Sequence, residues 1–143
     1  MILYLDTSAF LKLYLDEPDS HRVREAITGS SAASTHLLTY AEMRASFAQA
    51  VRMKRLSESE RTRHLERFEA DWRVLAVIAV DEPLVRRAGE FAERFDLRGF
   101  DSVHLAAAER VFDSGGRSGS FRFVAFDSDL RAGAAALGMN VLA

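Results

Sequence analysis

Two short apolar runs, each followed at once by an aspartate and a helix-forming segment, constrain the fold of this chain most. Residues 2–5 lead into Asp6, and residues 123–126 lead into Asp127. Apolar runs of this length are typical of strands that are covered on both faces, as in parallel sheets. Further strand patterns alternate with amphipathic helical patterns. The additional strands are predicted at 32–35, 76–80 and 139–142. The helices are predicted at 8–15, 18–29, 37–55, 57–75, 82–95, 100–112 and 127–137.

Strands that alternate with helices predict an α/β fold, a three-layer α/β/α sandwich around a central parallel sheet. A length of 143 residues suits one domain, and we assign residues 1–143 to it, since the sequence contains neither a repeat nor a long linker.

Composition excludes several classes of site. The chain has no cysteine, which excludes disulfides, thiolate zinc sites and cysteine nucleophiles. The amino terminus reaches Asp6 too early for a signal peptide, and no apolar run is long enough to span a bilayer, so we expect a cytoplasmic protein without membrane contact. A net charge of −2 argues against indiscriminate binding of polyanions.

The short motifs of several common enzyme classes are also missing from the sequence. It contains no phosphate-binding loop, no dinucleotide fingerprint, no nucleophile elbow and no H-E-x-x-H zinc motif. The phosphatase pattern that begins with an aspartate after the first strand requires a second aspartate two residues later, and Ser8 occupies that position.

Three aspartates lie at predicted helix starts: Asp6, Asp101 and Asp127. Each on its own is explained equally well as an N-cap, since aspartate is a favoured capping residue. Two of them also follow strands, and ligands of open parallel sheets bind outside the carboxyl ends of strands. We therefore expect Asp6 and Asp127 to lie at the same edge of the sheet.

Glu42 differs from these aspartates because the pattern places it well inside the helix predicted at 37–55, where it cannot act as a cap. Its neighbours Leu38 and Ala45 form an apolar flank, which predicts partial burial. Buried carboxylates are costly, and adjacent ones raise each other's pKa. A divalent cation removes both problems, and ligands that are all oxygen indicate Mg²⁺ or Mn²⁺ rather than zinc.

Four segments, in this order, resemble the PIN domain and, within it, the VapC-type toxins of bacterial and archaeal toxin–antitoxin pairs. They are LYLDTSAFLKLYLDEP, THLLTYAEMRASF, LRGFDSVHLAAAE and FVAFDSDLRAGAAALGMNV, and the third is the most specific. The resemblance spans nearly the whole chain. It implies an α/β/α sandwich with Mg²⁺- or Mn²⁺-dependent endoribonuclease activity.

Carried over residue by residue, the resemblance assigns the acidic metal-site positions to Asp6, Glu42, Asp101 and Asp127. Ser8, or alternatively Thr7, matches the hydroxyl that helps to order the site. The metal is expected to orient the scissile phosphate and to activate water for attack in line. Products with a 5′-phosphate and a 3′-hydroxyl are implied. Asp129 is interpreted either as an auxiliary acid or as a helix-start residue that the helix dipole favours.

Other residues receive structural interpretations. We interpret His104 as a partly buried histidine without a ligand role, and we place His21, His36 and His64 on the surface. The charged stretch 52–67 is expected to be a solvated helical hairpin. The helix at 8–15 has a second apolar face with Leu11 and Leu15, which we expect in a homodimer or antitoxin interface. The apolar stripe expected to lie in the core consists of Leu65, Phe68, Trp72 and Leu75.

Three functions are compatible with these patterns. The first is a toxin ribonuclease that acts on transfer or ribosomal RNA and is held inactive by a cognate antitoxin. The second is a housekeeping RNA-processing nuclease of the same fold without an antitoxin. The third is a catalytically silent binding module, which the presence of all the matched acids disfavours. A neighbouring gene that encodes a small DNA-binding antitoxin would support the first function over the second.

Overall fold

A computed structural model describes residues 1–142 of the chain. Four strands form one sheet in the order β3-β2-β1-β4. Every pair of neighbouring strands is parallel, which confirms the predicted sheet type. The strands are β1 (Ile2–Leu5), β2 (Ala32–His36), β3 (Ala76–Ile78) and β4 (Phe121–Val124).

Helices follow each strand and cover both faces of the sheet. They are α1 (Thr7–Leu11), α2 (Ser20–Thr28), α3 (Thr39–Arg52), α4 (Glu58–Trp72), α5 (Glu82–Phe95), α6 (Gly99–Gly115) and α7 (Ser128–Ala136). Within residues 1–142, none of these helices has the length and apolar character that crossing a membrane requires.

Strand β1 shows how the sheet separates two cores. Leu3 and Leu5 point into one apolar cluster, and Tyr4 points into the other, because successive side chains of a strand alternate between its faces. The first cluster receives side chains from α1 to α4, among them Phe47 and Phe68, and the second receives side chains from α5 to α7. The three-layer sandwich predicted from the sequence is therefore confirmed.

The stripe on helix α4 packs as predicted. Phe68 is fully buried, and Leu65, Trp72 and Leu75 are partly buried against the same core. The helix begins with a capping box, in which the Ser57 hydroxyl accepts from the Glu60 amide and the Glu60 carboxylate accepts from the Ser57 amide.

Two elements differ clearly from their predicted extent. Helix α1 stops at Leu11 and is followed by turns, so Leu15 belongs to the core with 4% of its surface exposed. The expectation that Leu15 lies in an interface is wrong, because the early end of the helix turns its side chain inward. The strand predicted at 139–142 is reduced to a single bridge between Phe123 and Val141. Gly138, with φ +86°, follows the end of the preceding helix.

The topology creates a crevice at one edge of the sheet. From β1 the chain moves outward through β2 to β3 and then returns to the other side of β1 as β4. The strand order thus reverses between β1 and β4, and such switch points are where open parallel sheets bind ligands. Asp6 and Asp127 follow these two strands, and the Asp6 amide donates to the Val124 carbonyl at 3.1 Å.

Candidate active site

A cavity of about 270 Å³ opens at this crevice. It brings together every residue that the sequence predicted for the site, namely Asp6, Ser8, Glu42, Asp101 and Asp127. Six further residues line it: Thr7, Leu11, Ser46, Arg98, Phe100 and His104. Asp129 is exposed in the first turn of α7 and does not line the cavity, which agrees with the interpretation as a helix-start residue.

Asp6 is the deepest of the acids, with 5% of its surface exposed. Its carboxylate caps helix α1 by accepting from the Ala9 amide at 2.8 Å, and it also accepts from the Ser8 hydroxyl at 3.0 Å. Burial raises the pKa of Asp6 above its usual value, although the nearby His104 acts in the opposite direction. The residue is therefore a cap and also a wall of the cavity.

Asp127 repeats this arrangement at the start of α7. One carboxylate oxygen accepts from the Leu130 amide at 2.9 Å, which satisfies an unpaired donor of the first turn. The other oxygen lies 3.7 Å from the Arg98 guanidinium. The cap interpretation is thus correct for Asp6 and Asp127, and it is compatible with a role in the cavity.

Asp101 is not a cap. Helix α6 starts two residues before it, with Arg98 as the N-cap residue, so Asp101 lies within the first turn. Its carboxylate instead accepts from the Arg98 side chain at 2.9 Å. Arg98 thereby neutralises Asp101 and approaches Asp127, and its own pKa is raised, chiefly by its hydrogen bond to Asp101.

Glu42 lies in the first turn of α3 because the helix begins at Thr39, so the prediction that it lies well inside a helix is wrong. It still caps nothing. Its carboxylate accepts from the Thr7 hydroxyl at 2.8 Å and lies 3.6 Å from Nε2 of His104. Burial acts to raise the pKa of Glu42, but the contacts with His104 and Thr7 outweigh burial and lower it.

Two stacked histidines lie beneath Glu42. His36 is fully buried, so its predicted surface position is wrong, whereas His21 is exposed as expected and His64 is half-buried. The rings of His36 and His104 stack with centroids 4.0 Å apart. Nδ1 of His104 contacts the Tyr4 hydroxyl at 3.0 Å, which confirms it as a buried, hydrogen-bonded histidine.

Sequence reasoning missed His36, Arg98 and Phe100 as residues around the site. A signal existed for His36, since it ends strand β2 at the same edge of the sheet where Asp6 and Asp127 follow their strands. The sequence offered Ser8 or Thr7 as the hydroxyl that orders the site, and both do so. The Ser8 hydroxyl donates to the Asp6 carboxylate, and the Thr7 hydroxyl donates to the Glu42 carboxylate.

The carboxylates of this cavity fit a hard divalent cation. Asp6 holds a buried carboxylate with a raised pKa, and Arg98 partly neutralises Asp101 and Asp127. Burial of the Asp6 charge and the closeness of several carboxylates are both costs that a bound cation relieves. Among residues 1–142, the potential ligand atoms that already lie within 4.8 Å of one another belong to a different trio, His36, Glu42 and His104.

The profile of the PIN domain matches residues 3–136 of the chain. The chain belongs to the PIN-domain family. Ribonuclease VapC45 of Mycobacterium tuberculosis is 34% identical over 140 residues, which cover 98% of this chain and 94% of that protein. The described cavity thus lies in a PIN domain that has a ribonuclease among its relatives.

Solved structures resemble the fold as a whole. FitAcB from Neisseria gonorrhoeae superposes with a TM-score of 0.71 at 20% identity, over 100% of this chain and 97% of that one. A toxin–antitoxin complex from Klebsiella pneumoniae gives 0.61 at 14% identity, over 88% of this chain and 87% of that one. At these identities the likeness concerns the fold alone.

Proposed function

We propose that this chain is a metal-dependent endoribonuclease and the toxin of a toxin–antitoxin pair. The observation that carries the proposal is the convergence of Asp6, Glu42, Asp101 and Asp127 on one cavity of a PIN domain. PIN domains are metal-dependent nucleases, and the relative described above is named a ribonuclease. Residues 1–143 act as one domain in this proposal.

Asp6, Glu42, Asp101 and Asp127 are proposed as the residues that hold Mg²⁺ or Mn²⁺, since their donor atoms are all oxygens. The cation supplies positive charge to the phosphate and acidifies water. The protein contributes the orientation of its carboxylates. Ser8 and the Ala9 amide fix Asp6, and Thr7 fixes Glu42, so these two carboxylates keep their positions before any ligand arrives.

Arg98 and Phe100 support RNA as the substrate. Arg98 pairs with Asp101 and Asp127, and a cation that neutralises these acids frees the guanidinium for a phosphate oxygen. Phe100 is 58% exposed beside the acids, where its ring is available to stack on an unpaired base. An exposed aromatic ring that can stack on a base and a cationic side chain that can bind a phosphate therefore lie beside the carboxylate site, as binding of a nucleic acid strand needs.

The partners in this proposal are a cognate antitoxin, a second copy of the chain and a transfer or ribosomal RNA, all in the cytoplasm. The toxin–antitoxin complex with the same fold supports the antitoxin. A housekeeping nuclease without an antitoxin is the alternative, and the gene next to this one separates the two. Light scattering tests the dimer.

Replacement of Asp101 by Asn tests the site with a matched control. Asp101 and Asp113 each pair with an arginine of their own helix region, at 2.9 Å with Arg98 and at 2.8 Å with Arg117, but only Asp101 lines the cavity. We expect Asp101→Asn to lose the thermal stabilisation that Mn²⁺ gives the wild type, and RNA cleavage to fall by orders of magnitude. Asp113→Asn should preserve both.

Thermal melts with and without Mn²⁺, together with a cleavage assay on purified RNA, measure these effects. An Asp101→Asn protein that cleaves RNA at the wild-type rate and keeps the Mn²⁺ shift would remove Asp101 from the site. Binding of Mn²⁺ without cleavage of any RNA would instead favour the silent binding module.

A further inference from the structure

Thr7 holds the Glu42 carboxylate, but the Thr7 side chain itself needs a support. Its hydroxyl donates to Oε1 of Glu42 at 2.8 Å. Threonine in a helix divides between two rotamers, and Thr7 is the first residue of the short helix α1. The Glu42 side chain is 30% exposed and has several rotatable bonds, so one contact with a hydroxyl leaves it free to turn toward solvent. The position of this carboxylate therefore depends on what fixes Thr7.

His104 supplies that support from helix α6. Its Nε2 lies 3.1 Å from the Thr7 hydroxyl, 3.4 Å from the Thr7 amide nitrogen and 3.6 Å from Oε1 of Glu42. With its proton on Nδ1, the ring accepts from the Thr7 amide, and with its proton on Nε2, it donates to the Thr7 hydroxyl. Both tautomers tie the ring to Thr7. The ring thus closes a triangle with Thr7 and Glu42, which a rotation of either side chain would break.

The imidazole ring of His104 is itself fixed in the core. Only 3% of the residue is exposed, and its Nδ1 lies 3.0 Å from the hydroxyl of the fully buried Tyr4. The His36 ring stacks on it with centroids 4.0 Å apart and planes inclined by 28°. In this stack the in-plane lone pairs of the two rings cannot converge on one ion, so the histidines pack together and form no metal site of their own. A ring fixed in this way can hold its neighbours in place.

From these contacts we infer that His104 is a positioning residue for Glu42. The ring acts on other side chains, the Thr7 hydroxyl and the Glu42 carboxylate, and not as a metal ligand. It keeps the carboxylate turned into the cavity before a cation arrives, which lowers the entropy cost of ordering Glu42 on binding. The inference rests on the proposed function, in which Glu42 helps to hold the cation.

The alternative is a histidine that only fills and stabilises the core. Two substitutions separate these roles, because each keeps a polar group on one side of the ring. In His104→Gln the amide reaches the place of Nε2 and can still contact Thr7. In His104→Asn the shorter side chain reaches only the place of Nδ1 and the Tyr4 hydroxyl. Both variants bury one amide group, so a purely structural role predicts the same Mn²⁺ affinity for both.

We expect His104→Asn to weaken Mn²⁺ binding by about 10–100-fold, as substitutions of residues behind metal ligands do. His104→Gln should stay within a few-fold of the wild type in a titration that follows free Mn²⁺ by electron paramagnetic resonance. Ser34→Ala is the control, since Ser34 is buried outside the cavity and its hydroxyl donates to the Leu3 carbonyl at 2.8 Å. It should lower the melting temperature and leave the Mn²⁺ affinity unchanged. Equal Mn²⁺ affinities of His104→Asn and His104→Gln would overturn the inference.

A double-mutant cycle tests whether His104 acts through Glu42. In Glu42→Gln the carboxylate that the ring positions is already lost, so addition of His104→Asn should change the Mn²⁺ affinity little further. The same loss in both backgrounds would mean that His104 acts on the fold alone, and the positioning role would be wrong.

Tyr4→Phe replaces His104→Asn if that variant fails to fold. It keeps the ring of residue 4 and removes only the hydroxyl that fixes Nδ1 of His104. Because the imidazole loses one of its two polar contacts, the Mn²⁺ affinity should fall several-fold. An unchanged affinity in Tyr4→Phe would contradict the positioning role.

One measurement is independent of both metal and RNA. NMR relaxation of the Glu42 methylene groups in the metal-free protein should show an ordered side chain in the wild type and in His104→Gln, and a mobile one in His104→Asn. Equal mobility in all three proteins would overturn the inference.

The effect on the nuclease is measured separately. RNA cleavage by His104→Asn should recover as the Mn²⁺ concentration is raised, which a damaged fold would not allow. Absence of Mn²⁺ binding and of cleavage in every sample would contradict the proposed function, while the relaxation of Glu42 would still report whether His104 positions that side chain.

Discussion

Asp6 both caps helix α1 and faces the other acids of the cavity, and these two roles place opposite demands on the charge of its carboxylate. The cap benefits from a charged oxygen, while burial penalises the charge. The pKa of Asp6 is raised, so its ionised form destabilises the metal-free fold at neutral pH. An asparagine at this position retains a capping oxygen without the charge.

We therefore expect metal-free Asp6→Asn to be at least as stable as the wild type at pH 7. The wild type recovers stability relative to the variant as pH falls through the raised pKa of Asp6, because protonation removes the buried charge, and the change is complete below the usual value of 3.8. Denaturant melts of both proteins between pH 7 and 4 measure this difference. A variant that is less stable than the wild type at every pH would show that the charge stabilises the cap.

Phe100 is a second single residue whose role can be tested by substitution. If its exposed ring stacks on an unpaired base, Phe100→Ala should weaken RNA binding by about 1–3 kcal/mol and raise KM. The thermal shift with Mn²⁺ should stay unchanged, because the ring contributes no ligand. Phe100→Tyr should restore KM, and Val85→Ala, an exposed apolar residue of α5 outside the cavity, serves as control. Equal KM values for Phe100→Ala and the wild type would exclude stacking.

At the scale of elements, the end of helix α6 is packed tightly where the chain turns toward β4. A Cβ atom added to Gly116 would lie 2.7 Å from Cβ of Phe121, whereas one added to Gly115 would meet nothing within 4 Å. Gly115 ends the helix, and Gly116 is buried in the turn that follows. The turn therefore has one position that excludes a side chain.

Gly116→Ala should lower the free energy of unfolding by about 1–3 kcal/mol, since the added methyl group displaces the Phe121 ring. Gly115→Ala changes the same residue type one position earlier and should have little effect. Urea melts of the two variants measure both values. Equal losses would mean that backbone freedom, rather than the contact with Phe121, determines the stability of this turn.

At the scale of the whole molecule, the acidic cavity exists because β1 and β4 are neighbours although they are far apart in the sequence. The register pairs Leu5 with Val124, so the aspartates that follow these strands meet at one edge. Helices α3 and α6 then place Glu42 and Asp101 on the walls of the same crevice. The site thus depends on the completed sheet and on no single helix.

The shape of this crevice predicts the class of RNA that is cleaved. The proposed metal-binding carboxylates line this crevice, and Phe100, the exposed aromatic residue among the lining residues, can stack only on an unpaired base. We expect cleavage in a loop of a folded RNA, such as transfer or ribosomal RNA, to be faster than cleavage of poly-U. Comparison of initial rates on the two substrates tests this, and similar rates would contradict selection by shape.

The sequence by itself determined the strand and helix order, the parallel sheet and the edge at which Asp6 and Asp127 meet. These features follow from apolar periodicity and from the geometry of strand ends, both of which are local. The four acids were predicted as site residues from their positions and from the family resemblance, and the fold brings all of them to one cavity.

Only the tertiary structure decided that His36 is buried, that Leu15 lies in the core and that Arg98 pairs with Asp101 and Asp127. The Tyr4–His104 hydrogen bond joins residues 100 positions apart, and Thr7 reaches Glu42 across 35 positions. Burial and the pKa of a side chain depend on such distant neighbours, because desolvation and charge act through space and not along the chain. For this reason a sequence pattern identified the carboxylates but not the histidines beneath them.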